Sequence, residues 1–196
     1  MARRDEQVYP WNGYLYVPCH SVPLSAGPFL SLSWNSIEQH LALPPDFALG
    51  LRDRHMGSIR VHRARLASAR IHGDSMIDRN ILHGDIAVFQ CGDVESLQNG
   101  RVVVIEKVGE EEGYGAWALK KLVIERPRSF NRNEYEDQID WDDPIITLYS
   151  FNKRVSSWRL DPSGRYRVHG IFLRCVRRHD ANLVDSDVIR RAAASE

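Results

Sequence analysis

The chain is predicted to be mainly β, with antiparallel strands folded over on one another and few short helices. Two observations predict it. Apolar residues recur at alternate positions over short runs, which is the period of a half-buried strand. The runs are separated by Gly/Asn turns such as Gln98-Asn99-Gly100, where these residues supply the backbone angles a reversal needs. With 196 residues, 43 % of them hydrophobic, the chain has material for one core with appendages.

Residues 1–13 read as a polar lead. Residues 14–36 mix proline, serine and aromatic residues, an extended segment able to reach a groove; residues 1–35 are taken together as an N-terminal arm. Ser36-Ile37-Glu38-Gln39-His40-Leu41 predicts a short helical turn with Ser36 as its cap, ended by Pro44-Pro45. This turn opens the main domain, residues 36–179. Residues 58–72 alternate, with Ile59 and Val61 separated by Arg60 and His62, and predict a strand. Further strands are predicted at 86–90, 101–107 and 116–124. Residues 108–115, Val-Gly-Glu-Glu-Glu-Gly-Tyr-Gly, are a hairpin loop. Residues 126–144 are long, polar and irregular, with an acidic part (Glu134, Glu136, Asp137, Asp140, Asp142, Asp143) read as a solvated loop. Strands resume at 145–148 and 166–176, and the tail, residues 180–196, reads as a short helix.

Composition excludes several function classes. Formal net charge is zero, so no global field draws the chain to nucleic acid. The basic runs 51–55 and 60–65 are read as solvated faces. Cys19, Cys91 and Cys175 form no CxxC pair, which fits reduced thiols in a cytoplasmic protein. The eight histidines show no metal-ligand spacing, so neither a metal nor another cofactor is expected. The N-terminus lacks a signal-peptide core, and no stretch approaches the ~20 apolar residues that span a bilayer.

The chemistry concentrates at Gly73-Asp74-Ser75-Met76. Gly73 permits a tight turn. Such a turn is expected to push the Ser75 hydroxyl into the open beside free backbone N–H groups, as a nucleophile with an oxyanion hole requires. Downstream follow Ile81-Leu82-His83-Gly84-Asp85 and a strand, then Asn99-Gly100 and Val102-Val103-Val104, then Trp117-Ala118-Leu119-Lys120-Lys121-Leu122. His72 lies close to Ser75 in sequence, but a strand-to-turn places it poorly for a hydrogen bond, and it is read as structural.

This order of motifs resembles the LexA-type peptidase family, which includes the LexA repressor, phage repressors and the UmuD mutagenesis protein. The resemblance spans about residues 14–178 and implies a LexA-type peptidase fold for residues 36–179, with 126–144 an insertion. It implies a Ser–Lys dyad, with Ser75 as nucleophile, Lys120 as general base, and the backbone N–H groups of Asp74 and Ser75 as oxyanion hole. Lys121 would face the opposite side of the sheet, toward solvent. Lysine has an unperturbed pKa of about 10.4, so Lys120 needs an apolar pocket to become a base; Leu119, Leu122 and Trp117 are the apolar material at hand. Leu148-Tyr149-Ser150-Phe151-Asn152 resembles the family's Leu-x-Ser-x-Asn step, and Arg167–Val176 its closing strand.

The resemblance also implies a self-cleavage segment, Val22-Pro23-Leu24-Ser25-Ala26-Gly27-Pro28, cut between Ala26 and Gly27. Small residues let that bond lie flat against Ser75, whereas Pro28 removes a donor and weakens docking. Only 26 residues precede Gly27, too few for a helix-turn-helix, so the layout resembles UmuD and no sequence-specific DNA binding is expected. Membrane signal peptidases share the dyad and a related fold but need an anchor, which this sequence does not show. Two functions remain open. One is a self-cleaving regulator in the DNA-damage response, triggered by a recombinase filament and switching contact with a polymerase or repair enzyme. The other is a non-cleaving binding module in a DNA-repair or phage-defence complex. A homodimer is expected in either case, through an edge left by the closing strand.

Overall fold

The computed structural model describes residues 9–11, 13–25, 30–33, 37–44, 47, 66–91, 99–108, 114–125, 145–155, 158–159 and 166–194. Mainly β is the observed class: these residues form twelve strands and one α-helix. The strands are β1 (Tyr9–Trp11), β2 (Tyr14–Ser25), β3 (Leu30–Ser33), β4 (Gln39–Leu43), β5 (Leu66–His72), β6 (Ile86–Cys91), β7 (Val102–Val108), β8 (Tyr114–Glu125), β9 (Ile145–Tyr149), β10 (Trp158–Arg159), β11 (Tyr166–Val176) and β12 (Leu183–Asp185). The helix α1 (Ser186–Ala193) begins where the Asp185 carboxylate accepts the Asp187 amide at 2.7 Å, satisfying one of the free donors of its first turn.

One sheet runs in the order β10-β9-β8-β7-β11-β6-β5-β2-β4-β12, with β1 added to β2 and β3 to β8. It then closes on itself, because Ser25 at the end of β2 pairs with Ala118 of β8. Six strands, β8-β7-β11-β6-β5-β2, therefore form a ring. The residues inside it follow the two-residue period of a strand. Ala67, Ala69 and Ile71 of β5, Ala87 and Phe89 of β6, Val104 of β7, Trp117 and Leu119 of β8 and Leu24 of β2 are all buried in one cluster. The alternate residues of β5, β6 and β2 face outward, where Leu66, Ile86, Val88, Leu15, Val17 and Cys19 are buried with Leu41 and Leu43 of β4. A third cluster joins Val103 and Ile105 to Ala118, Leu122 and Leu148.

Three expectations need correction. The sheet is mixed rather than antiparallel, because β2 runs parallel to both β5 and β8. The helical turn at 36–41 is absent among the described residues; Gln39–Leu43 is strand instead, pinned between β2 and β12. Strand β2, expected in an arm, is an interior strand with β4 on one side and β5 on the other. The closing strand β11 is held by β7 over Tyr166–Ile171 and by β6 over Gly170–Val176. Gly170 within β11 is required for that fit: a Cβ there would stand 2.5 Å from the Gln90 carbonyl oxygen. No helix among the described residues is long and apolar enough to cross a membrane. The stretches 51–55, 60–65 and 126–144 lie outside the described residues.

Candidate active site

The turn after β5 is built to hold Ser75 still. Gly73 opens it at φ 103°, a backbone angle that side chains with a Cβ strongly resist. The Asp74 carbonyl then accepts the Ile77 amide at 3.0 Å, starting a 3₁₀ turn over Ile77–Arg79. Asn80 leaves it in the left-handed region. Met76 and Ile81 drop into the inner core on either side of the turn. The second Gly-Asp pair closes the loop. The buried Asp85 carboxylate accepts the Leu82 amide at 3.0 Å and an Arg177 guanidinium N–H at 2.7 Å, and its carbonyl accepts the Ile71 amide at 2.7 Å.

Lys120 reaches this turn from the middle of β8. Its Nζ donates to Ser75 Oγ at 2.9 Å and to Ser150 Oγ at 3.0 Å. Both Ser75 and Lys120 are 0 % exposed, so the serine hydroxyl is covered rather than pushed into the open. The cover comes from the segment after β9. There the Asn152 side-chain amide donates to the Asp74 carbonyl at 3.2 Å, and the Phe151 carbonyl accepts the Asp78 amide at 2.9 Å. Arg79 and Lys121 lie 4.4 Å and 5.5 Å from the centroid of the Phe151 ring, so Lys121 is half-buried against an aromatic face rather than free in solvent.

Burial pulls Lys120 from its ordinary range to about 8, because an ammonium loses its hydration there. The apolar surroundings come from the side of β8 that carries Ala118 and Leu122, opposite Val103 in register. Leu119 and Trp117, expected to contribute, belong to the inner core on the other face. Among the described residues no hydrogen bond is made by the amides of Asp74 or Ser75. They are donors at the turn that carries Ser75.

The other candidates separate from this centre. His72 ends β5 exposed, its ring edge-on to His83 at 4.9 Å, while His83 Nδ1 accepts the Gly73 amide at 3.1 Å. A second buried polar group lies under β2. There His169 Nε2 meets Glu106 Oε2 at 2.6 Å, and the Trp117 ring stacks on His169 at 4.4 Å. His20 sits beside Trp117, and burial, aided by the His169 charge, lowers its pKa to about 4. No group of three or more His, Cys, Asp or Glu residues is placed to hold a metal among the described residues. The three cysteines are unbridged, and burial raises the Cys19 and Cys175 thiols, the latter to about 12.

Ala26 and Gly27 lie outside the described residues, but both flanks are in place. Ser25 pairs with His72 and with Ala118. Leu30, at the start of β3, pairs with Trp117. On β8, residues 114–117 are held by β3 and 121–125 by β9. The step that carries Lys120 lies between them. Ser150 and Asn152 are the functional contacts the sequence did not assign; the Leu-x-Ser-x-Asn step marked them without their roles. No family model and no curated protein matches this chain.

Proposed function

We propose that this chain is a LexA-type self-cleaving serine peptidase that cuts its own backbone between Ala26 and Gly27. The observation that carries the reading is the buried Lys120 amine aimed at Ser75 Oγ at 2.9 Å. A lysine on an ordinary strand face would be spent in solvent. Here it has lost its hydration, its pKa is drawn toward neutrality, and its partner is a hydroxyl at a free-amide turn. The strand geometry supports an intramolecular substrate. Strands β2, β5 and β8 run in the same direction at Ser25. Ser75 lies three residues beyond the β5 partner of Ser25, and Lys120 two residues beyond its β8 partner. That the chain approaches Ser75 and Lys120 at Ser25 supports the bond between Ala26 and Gly27 as the one cut.

In this mechanism neutral Lys120 takes the Ser75 proton as Oγ attacks the Ala26 carbonyl carbon. The amides of Ser75 and Asp74 receive the developing oxyanion. The C–N bond to Gly27 breaks, and the Gly27 nitrogen takes the proton held by Lys120. Water, deprotonated by the same amine, then hydrolyses the acyl-serine, leaving a carboxylate on Ala26 and a free amine on Gly27. Ser150 holds the amine in line, and Asn152 fixes the Asp74 carbonyl so that the turn keeps its shape. The resemblance to UmuD extends the proposal to a switch in the DNA-damage response whose partner is a protein.

The test is intact-mass measurement of purified protein incubated from pH 6 to pH 10. Fragments breaking at Ala26–Gly27, absent in Ser75→Ala, support the reading. Cleavage that persists in Ser75→Ala, or an intact chain at every pH, overturns it, and the second outcome favours the non-cleaving binding module.

A further inference from the structure

We infer that the cut does not release the N-terminal segment: residues up to Ala26 stay bound as a strand of a nicked, single-bodied protein. The inference rests on the cleavage reading for its occasion, but its argument is the sheet. Strand β2 contributes Leu15, Val17 and Cys19 to the outer core and Leu24 to the inner one, all nearly or fully buried. It pairs with β4 from Leu15 to Cys19 and with β5 at Cys19, His20, Leu24 and Ser25. The Ser68 hydroxyl is bonded to the Pro18 carbonyl at 3.0 Å from within the core. Among the described residues β2 is also the sole bridge in the sheet path between β5 and the β4-β12 pair. Its departure would detach β4, β12 and, through Ile189 packed on Tyr16 and Ala42, helix α1.

A cut at Ala26–Gly27 touches none of these contacts. It severs one covalent link at the far end of β2, after its last paired residue. An interior strand that keeps both neighbours and its buried side chains has no drive to leave, since leaving would expose apolar surface on two cores to water. The partner of the cut protein is therefore first of all its own N-terminal strand. What cleavage frees is local: the new Ala26 carboxylate and the new Gly27 amine, with the short β3 that follows, whose strand partner among the described residues is β8.

The experiment separates this from catalysis. In full-length Ser75→Ala, a recognition sequence for a site-specific protease is inserted between Ala26 and Gly27, and the folded chain is nicked with that protease. Gel filtration and native mass spectrometry are expected to give one species with the mass of both pieces, parted only by denaturant. Loss of the small piece in native buffer overturns the inference. On uninserted Ser75→Ala, hydrogen exchange is a second readout. The amides of Leu15–Cys19 are expected to exchange as slowly as those of β5 and β6. Exchange more than a hundredfold faster than β5 would overturn the inference. An uncut wild-type chain defeats the cleavage reading alone; an arm lost from the nicked variant defeats this one alone.

Discussion

At the scale of single residues, Lys120 decides the behaviour of the site. Its pKa is lowered to about 8 by burial, so the free amine predominates only above that pH and falls about tenfold per unit below it. Self-cleavage is expected to rise about tenfold per pH unit up to pH 8 and then level off, which a series of single-turnover rates would measure. Flat rates between pH 6 and pH 9 would remove Lys120 from the role. Lys120→Met is expected to lower the rate about 10²–10⁴-fold while leaving the melting temperature unchanged or higher at pH 7. The sign follows from linkage. The folded pKa lies below the unfolded one, so the unfolded chain binds more protons between pH 8 and about 10.4. The lysine therefore costs stability fully below pH 8, and that cost fades as pH rises through this window. Ser150→Ala removes an acceptor that favours the ammonium form. The rate plateau is expected to fall about tenfold, with its midpoint moved to lower pH, a shift that a purely structural loss would not produce.

At the scale of elements, the strands β5 to β8 were legible because their apolar runs are set off by turn residues such as Gly73, Gly84 and Asn99-Gly100. The Ser75 turn was legible for the same reason: Gly73 must adopt a backbone angle closed to other residues. Residues 37–41 misled because Ile37, His40 and Leu41 also fit a helical spacing. Contacts far along the chain override it: β2 and β12 flank the segment, and the buried His40 ring meets the Ser186 hydroxyl at 3.0 Å. The burial of Ser75 was not legible either, since its cover comes from Ser150–Asn152, remote in sequence. Nor was the use of Asp85. Its carboxylate is 4 % exposed and paired with Arg177, so Asp85→Ala leaves a partly buried guanidinium without its counter-ion. The expected loss is about 3 kcal/mol, the low end for a broken buried pair because Arg177 keeps some access to water. Gly170→Ala, which sets a Cβ against the Gln90 carbonyl, is expected to cost about 1–3 kcal/mol. Urea unfolding midpoints would check both, and an unchanged midpoint in Gly170→Ala would mean β11 and β6 can separate there.

At the scale of the whole molecule, the ring of strands closes, among the described residues, where Ser25 pairs with Ala118, two positions along β8 from Lys120. The site is thus assembled from pieces spread along the chain: Ser75, Lys120 and the contacts of Ser150 and Asn152. The N-terminal strand is made first, yet its inner partner β5 follows many residues later, and β8 later still. Such long-range pairing is slow to form. Under the proposed function, a nascent chain would therefore carry the segment to be cut from the outset without the means to cut it. The amine cannot be desolvated before β9 and the Ser150–Asn152 cover have emerged and docked. Under the proposed function, folding order acts as a safety catch: truncated or half-made copies would stay whole, and only a chain that has completed its ring would acquire the ability to cut itself.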